Sequence, residues 1–189
     1  YGIPSTVVMP AGAPLAKVMA TRGYGAEVVL HGAAYDDAYA KAVEIQKKTG
    51  ATFVHPFNDP QVVAGQGTIG LEVLADLPDL DAIVVPIGGG GLISGIAVAV
   101  KETKPDVKVI GVQAAGAPSM LASQRAGHIT TLSSVATIAD GIAVKTPGEL
   151  TFATVQKYVD DIVTVEEDEI ANAILMLLER AKVVAEGAG

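Results

Sequence analysis

Four consecutive glycines, Gly88-Gly89-Gly90-Gly91, separate the apolar, β-branched run Ala82 to Ile87 from a run of helical character that begins at Leu92. Without Cβ atoms such a stretch can turn at positive φ and curl its N–H groups inward, and the helix behind it adds the positive end of its dipole. Together these hold an anion, above all a phosphate, with no charged side chain. A flexible linker or a simple packing turn also uses glycine. Four of them at one strand-to-helix junction, without Ser/Gly-rich flanks, favour the anion loop.

Stepping outward, Ala82 to Ile87 reads as a parallel strand covered on both faces. The helix from Leu92 to Thr103 stops ahead of Pro105, which disfavours helical geometry in the residue before it. The β-branched run Val107 to Gln113 then completes a βαβ unit, and the glycines fall at the carboxyl end of its first strand, where ligands bind in open α/β sheets. Ahead of this unit the pattern predicts a strand over 5–9, a helix over 13–23, a strand over 27–30 and a helix from Asp36 to Lys48 closed by Gly50. A short strand, Thr52-Phe53-Val54, and the turn-rich His55-Pro56-Phe57-Asn58-Asp59-Pro60 follow, and a domain boundary is placed there. A helix is expected over 67–77. Beyond the unit come a helix over 118–126, a loop-rich stretch over 127–147, a helix over 149–158 and a strand over 162–165. A capping box of Thr164 with Glu167 then opens a helix whose stripe, Ile170, Ile174, Leu177, Leu178, Ala181 and Val184, reads as core.

Gly65-Gln66-Gly67-Thr68-Ile69-Gly70 matches the dinucleotide string G-x-G-x-x-G, but a Pro-containing turn precedes it instead of a clear strand. A glycine-assisted helix start is preferred there over a nicotinamide site. His31, His55 and His128 are too scattered to hold a metal, and none is expected. Glu166 to Glu169 form an acidic helix start, read as capping. Glu186, at the junction of an apolar helix with Gly187-Ala188-Gly189, is a candidate functional carboxylate.

The 189 residues carry a net charge of −8, with the lysines scattered, so nucleic acid is not expected as a partner. No cysteine is present, which removes disulfides and thiolate metal sites and leaves the cytoplasm as the default location. No apolar run is long enough to span a bilayer, and no membrane partner is expected. Both ends look cut, which suggests a segment of something longer.

Taken together, Thr6-Val7-Val8-Met9-Pro10, Gly65-Gln66-Gly67-Thr68, Gly88-Gly89-Gly90-Gly91-Leu92, Ala139-Asp140-Gly141 and Glu186-Gly187-Ala188-Gly189 resemble the threonine dehydratases. These belong to the tryptophan-synthase-β-like (fold type II) pyridoxal-phosphate enzymes, with the serine racemases and serine dehydratases. Asp140 to Leu150 looks more like the dehydratases than the racemases. The resemblance implies an α/β, three-layer αβα fold with open, mostly parallel twisted sheets, residues 1–55 being part of a small mobile domain and 56–189 most of a large cofactor domain. It implies an enzyme that dehydrates and deaminates L-threonine, or L-serine, to 2-oxobutyrate (pyruvate) and ammonia, with pyridoxal 5'-phosphate as electron sink. Gly88, Gly89, Gly90, Gly91 and Leu92 would hold the cofactor phosphate, Gly141 would line the cofactor face, and Glu186 would lie near the ring.

In that family the Schiff-base lysine sits in a Ser-Phe-Lys type motif ahead of the matched region, and no lysine here has such surroundings. No catalytic residue is therefore expected within 1–189, and the segment alone is expected to be inactive. Gln113 and Ser119 stand where serine racemases carry acidic metal ligands, so no divalent ion is expected at that place, which leaves a monovalent ion or none. Exposed sheet edges and apolar faces would invite self-association, and a homo-oligomer is expected. Two other classes remain. A nicotinamide-dependent oxidoreductase would need an acidic residue near Gly111-Val112-Gln113. A non-catalytic phosphate-binding module would lack the lysine block altogether.

Overall fold

A computed structural model describes residues 2–33 and 35–189. It divides into two compact units, Tyr1–Val54 and His55–Gly189. In the first, β1 (Thr6–Met9) and β2 (Glu27–Leu30) pair in parallel, Thr6 opposite Glu27, and are joined through α1 (Leu15–Gly23). Helix α2 (Tyr35–Thr49) follows, with Asp36 and Asp37 in its first turn and Lys47 and Lys48 in its last, charges that suit the dipole. The interior of this unit is small: among the described residues, Val18 and Ala38 are its buried apolar ones. Thr52-Phe53-Val54 forms no strand, against expectation. Phe53 instead meets Tyr39 edge to face, ring centroids 5.7 Å apart.

The second unit opens with α3 (Pro60–Asp76), which starts well before the expected residue 67. Asp59 caps it, accepting from the N–H groups of Gln61 and Val62, and Pro60 occupies the first helical position, where its missing N–H costs nothing. The turn signals of 55–60 thus mark a helix N-terminus. Strands β3 (Ala82–Pro86), β4 (Lys108–Ala114) and β5 (Asp161–Val165) form a parallel sheet in the order β3-β4-β5. α4 (Gly91–Thr103) crosses between β3 and β4, and α5 (Ser119–Ala126) and α6 (Glu149–Tyr158) between β4 and β5. The central strand β4 buries Val109, Gly111 and Gln113, whereas Val84 of β3 is 62% exposed, so β3 is not covered on both faces. Ile87, Ile93, Val100, Val109, Met120 and Val155 are the innermost apolar side chains.

The last helix, α7 (Glu167–Met176), is capped by Glu166 with Glu169, not by Thr164 with Glu167. Thr164 lies inside β5, paired with Gln113, and is not available as a cap. The apolar stripe behind it is only partly core. Ile170 is buried, but Leu177, Leu178 and Val184 are exposed, because the helix ends in a π-helical turn, Leu177–Ala181, with Lys182 left-handed behind it. Among the described residues no helix is long and apolar enough to cross a membrane.

Candidate functional site

Strand β3 delivers Ile87 to the sheet edge, where its N–H still reaches the Val112 carbonyl at 2.8 Å. The four glycines follow at once. Gly90 takes φ +94°, a left-handed conformation that disfavours any residue with a Cβ, and becomes the cap of α4. The first helical bond of α4 runs from Ser94 N–H to the Gly90 carbonyl at 3.0 Å. The N–H groups of Gly90, Gly91, Leu92 and Ile93 therefore have no acceptor inside the helix. Gly89, Gly90 and Gly91 are buried and Leu92 half-buried, packed against the core. A cluster of backbone donors at a positive helix end suits a phosphate ester dianion. The residues present fit the phosphate of pyridoxal phosphate.

The surroundings leave no room for larger residues. A Cβ on Gly90 would stand 2.6 Å from Met120 Cε and 2.9 Å from Thr151 Cβ, and one on Gly89 would enter the Phe57 ring. Phe57 is held over the loop by a tight turn in which His55 Nδ1 accepts from the N–H groups of Phe57 (3.2 Å) and Asn58 (2.9 Å). That arrangement needs a neutral ring, and burial pushes the His55 pKa down, partly opposed by Asp59. Asn58 Oδ1 in turn accepts from Leu150 N–H at the start of α6, 3.0 Å away.

On the other side of the loop, Gly88 packs on Ile142, the Cα of which would be 3.0 Å from an added Cβ. Ile142 ends the one-turn 3-10 helix Asp140–Ile142. In the same turn Gly141 faces the C-terminal residues: a Cβ there would lie 2.9 Å from Ala188 Cβ and 3.4 Å from Glu186 Oε1. Glu167 fixes the segment from behind, its Oε2 accepting from Ile138 N–H at 2.7 Å, which makes it more than the solvated cap expected of the acidic run. The structure thus brings Gly88, Gly141 and Glu186 together along the stretch from Ile138 to Val144. Glu186 itself is exposed.

The second glycine string has a different role. Gly65 to Gly70 lie in the middle of α3, not at a helix start as expected. Gly67 and Gly70 press on the backbone of α4, where added Cβ atoms would meet the Gly95 carbonyl at 3.0 Å and the Ile96 carbonyl at 3.1 Å. Among the described residues no group of His, Asp and Glu side chains is placed to hold a metal ion. Sequence reasoning missed Phe57, Gln113 and Thr151, which shape the loop from outside. Only Thr151, three residues after Gly148 at a helix start, carried a capping-type signal.

All 189 residues match the family model described as pyridoxal-phosphate dependent enzyme, and the chain belongs to that family. Among individual relatives, it is 62% identical over its whole length to an L-threonine ammonia-lyase of Thermotoga maritima, of which it covers 47%. It superposes on the processed threonine deaminase isoform 2 of Solanum lycopersicum with a TM-score of 0.92 and 42% identity, covering 98% of this chain and 51% of that one. Maize serine racemase gives 0.94 and 38%, covering 99% and 56%. The chain spans about half the length of the relatives it matches. Its fold is the parallel α/β fold of the type II pyridoxal-phosphate enzymes.

Proposed function

We propose that this chain is the part of a threonine ammonia-lyase that cradles the cofactor phosphate and one side of the cofactor ring, with residues 1–55 contributing to the small domain and 56–189 to the large one. The observation that carries the reading is the glycine loop at the end of β3, with Gly90 left-handed and the N-terminal donors of α4 turned to it. Gly88, Gly89, Gly90, Gly91 and Leu92 hold the phosphate through backbone N–H groups. Gly141 lines the cofactor face, its missing Cβ allowing the close approach of Ala188 and of Glu186, which presents a carboxylate oxygen to the same side. When bound, pyridoxal phosphate supplies an electron sink for breaking bonds at the α-carbon of an amino acid. Proton removal falls to a lysine outside residues 1–189.

L-Threonine as substrate is supported by the 62% identity to an enzyme of that name. Serine is the second substrate to test, given the likeness to a serine racemase. The reading includes a cytoplasmic homo-oligomer. Exposed Leu175, Met176 and Leu178 on the last helical segment support self-association, and the lack of cysteine suits a reducing compartment. The test is 2-oxobutyrate release from L-threonine by the complete protein that carries this chain, with L-serine beside it. Release that depends on added pyridoxal phosphate is expected; no turnover of either amino acid refutes the reading.

A further inference from the structure

Two buried side chains outside the glycine loop grip it from behind. Thr151, in the first turn of α6, donates its hydroxyl to the Gly89 carbonyl at 2.6 Å and accepts from Gly148 N–H at 3.1 Å. Gln113, near the end of β4, donates from Nε2 to the carbonyls of Ile87 (3.2 Å) and Ala117 (3.3 Å), while its Oε1 accepts from Leu121 N–H at 2.9 Å. Both residues are fully buried.

The two carbonyls they hold belong to alternate peptides of the loop, Ile87–Gly88 and Gly89–Gly90. In a trans peptide the carbonyl and the N–H of the next residue point in opposite directions, and the described residues contain no cis bond. Gln113 turns the Ile87 carbonyl inward, so the Gly88 N–H faces away from the β4 side. Thr151 does the same at Gly89, and the Gly90 N–H faces away from α6. We infer that Gln113 and Thr151 are positioning residues for anion binding, which lock alternate glycine peptides so that the N–H groups of Gly88 and Gly90 form an outward pair for phosphate oxygens. Glycine peptides need such locking because they can rotate at little steric cost. A carbonyl that accepts a hydrogen bond also makes the N–H of its own peptide a stronger donor. The inference rests on the loop being the phosphate cradle.

The test uses the complete protein that carries this chain, with calorimetric affinities for pyridoxal phosphate and for pyridoxal, which has no phosphate, and the thermal midpoint of the cofactor-free form. Thr151→Val keeps the shape and removes the hydroxyl. The preference for the phosphorylated compound should fall about tenfold, a difference of about 1.4 kcal/mol, with pyridoxal affinity unchanged. Thr151→Ser should restore it, and Gln113→Leu should act in the same direction as Thr151→Val. An unchanged preference in folded Val and Leu variants overturns the inference. Equal weakening of both compounds does too, since that is what a purely structural role predicts. A wild-type protein with no preference for pyridoxal phosphate over pyridoxal would instead refute the phosphate reading of the loop, and this inference with it. Should the variants not fold, wild-type protein labelled with 15N-glycine and titrated with inorganic phosphate decides. The Gly88 and Gly90 amide protons should move downfield, and fixed positions overturn the proposal.

Discussion

Two glycine-rich stretches lie close together in this chain and use the missing side chain in opposite ways. In α3, Gly67 and Gly70 allow two helices to touch backbone to backbone, and Gly95 of α4 completes the contact. At the end of β3, Gly88 to Gly91 leave backbone donors without an acceptor inside the helix they start. The first arrangement satisfies itself, whereas the second leaves donors for an outside acceptor. The lesson is that a glycine string acquires meaning from the polarity of what lies opposite it: a carbonyl from a neighbouring helix closes the gap, and a helix N-terminus leaves it open.

The contrast is most sharply tested by Gly95→Ala. Its Cβ would stand 2.5 Å from Gly67 N and also strike the Val63 carbonyl, and backbone cannot step aside as a side chain can. A stability loss of about 3 kcal/mol in chemical denaturation is expected, with an unchanged preference for pyridoxal phosphate over pyridoxal. A smaller stability loss, about 2 kcal/mol, is expected for Gly90→Ala, from left-handed strain and the crowding at Met120 and Thr151. That variant should also lose phosphate preference. If both substitutions cost stability alone, the comparison fails.

A scaffold change remote from both strings gives the next smaller effect. Burial would raise the Asp160 carboxyl, but hydrogen bonds from Lys101, Val109 N–H and Lys108 outweigh it and hold the pKa at about 2. Because the folded value is depressed, this contribution is present above about pH 4 and fades as pH falls towards 2. Asp160→Asn should cost about 1 kcal/mol at neutral pH and flatten acid denaturation in that window, leaving cofactor preference intact. The smallest effect concerns His55. Its folded pKa is lowered, so its contribution is complete above about pH 6.5 and is lost as pH falls through the folded value. Since His55 holds Phe57 over Gly89 and Gly91, mild acid should weaken phosphate preference by a few-fold at most, and His55→Asn, which keeps an acceptor, should remove that dependence. The Gly67–Gly95 contact should not respond over the same range.

The glycine loop was legible because its signal is local: a strand, four glycines and a helix in succession. The parallel strands and most helix bodies were legible for the same reason. Thr52 to Val54 misled because β-branched and aromatic residues have strand propensity whether or not a partner strand lies beside them. The start of α3 was missed because Asp59 and Pro60 read equally well as a turn and as a helix cap. The nearness of Gly141 to Glu186, and the grip of Thr151 and Gln113 on the loop, are tertiary facts with no spacing to announce them. The exposure of Leu177 and Val184 could not be foreseen either, since the apolar stripe continues regularly through the point where the π-helical turn redirects the chain.

The bond from Thr151 to Gly89 spans 62 residues of chain. During synthesis the loop therefore exists before the residue that orients its middle peptide. At ordinary elongation rates that gap lasts roughly 3–12 s. Through that interval the Gly89–Gly90 peptide is free to turn either way, so the nascent chain acquires a properly oriented anion site only once the beginning of α6 has been made and has docked.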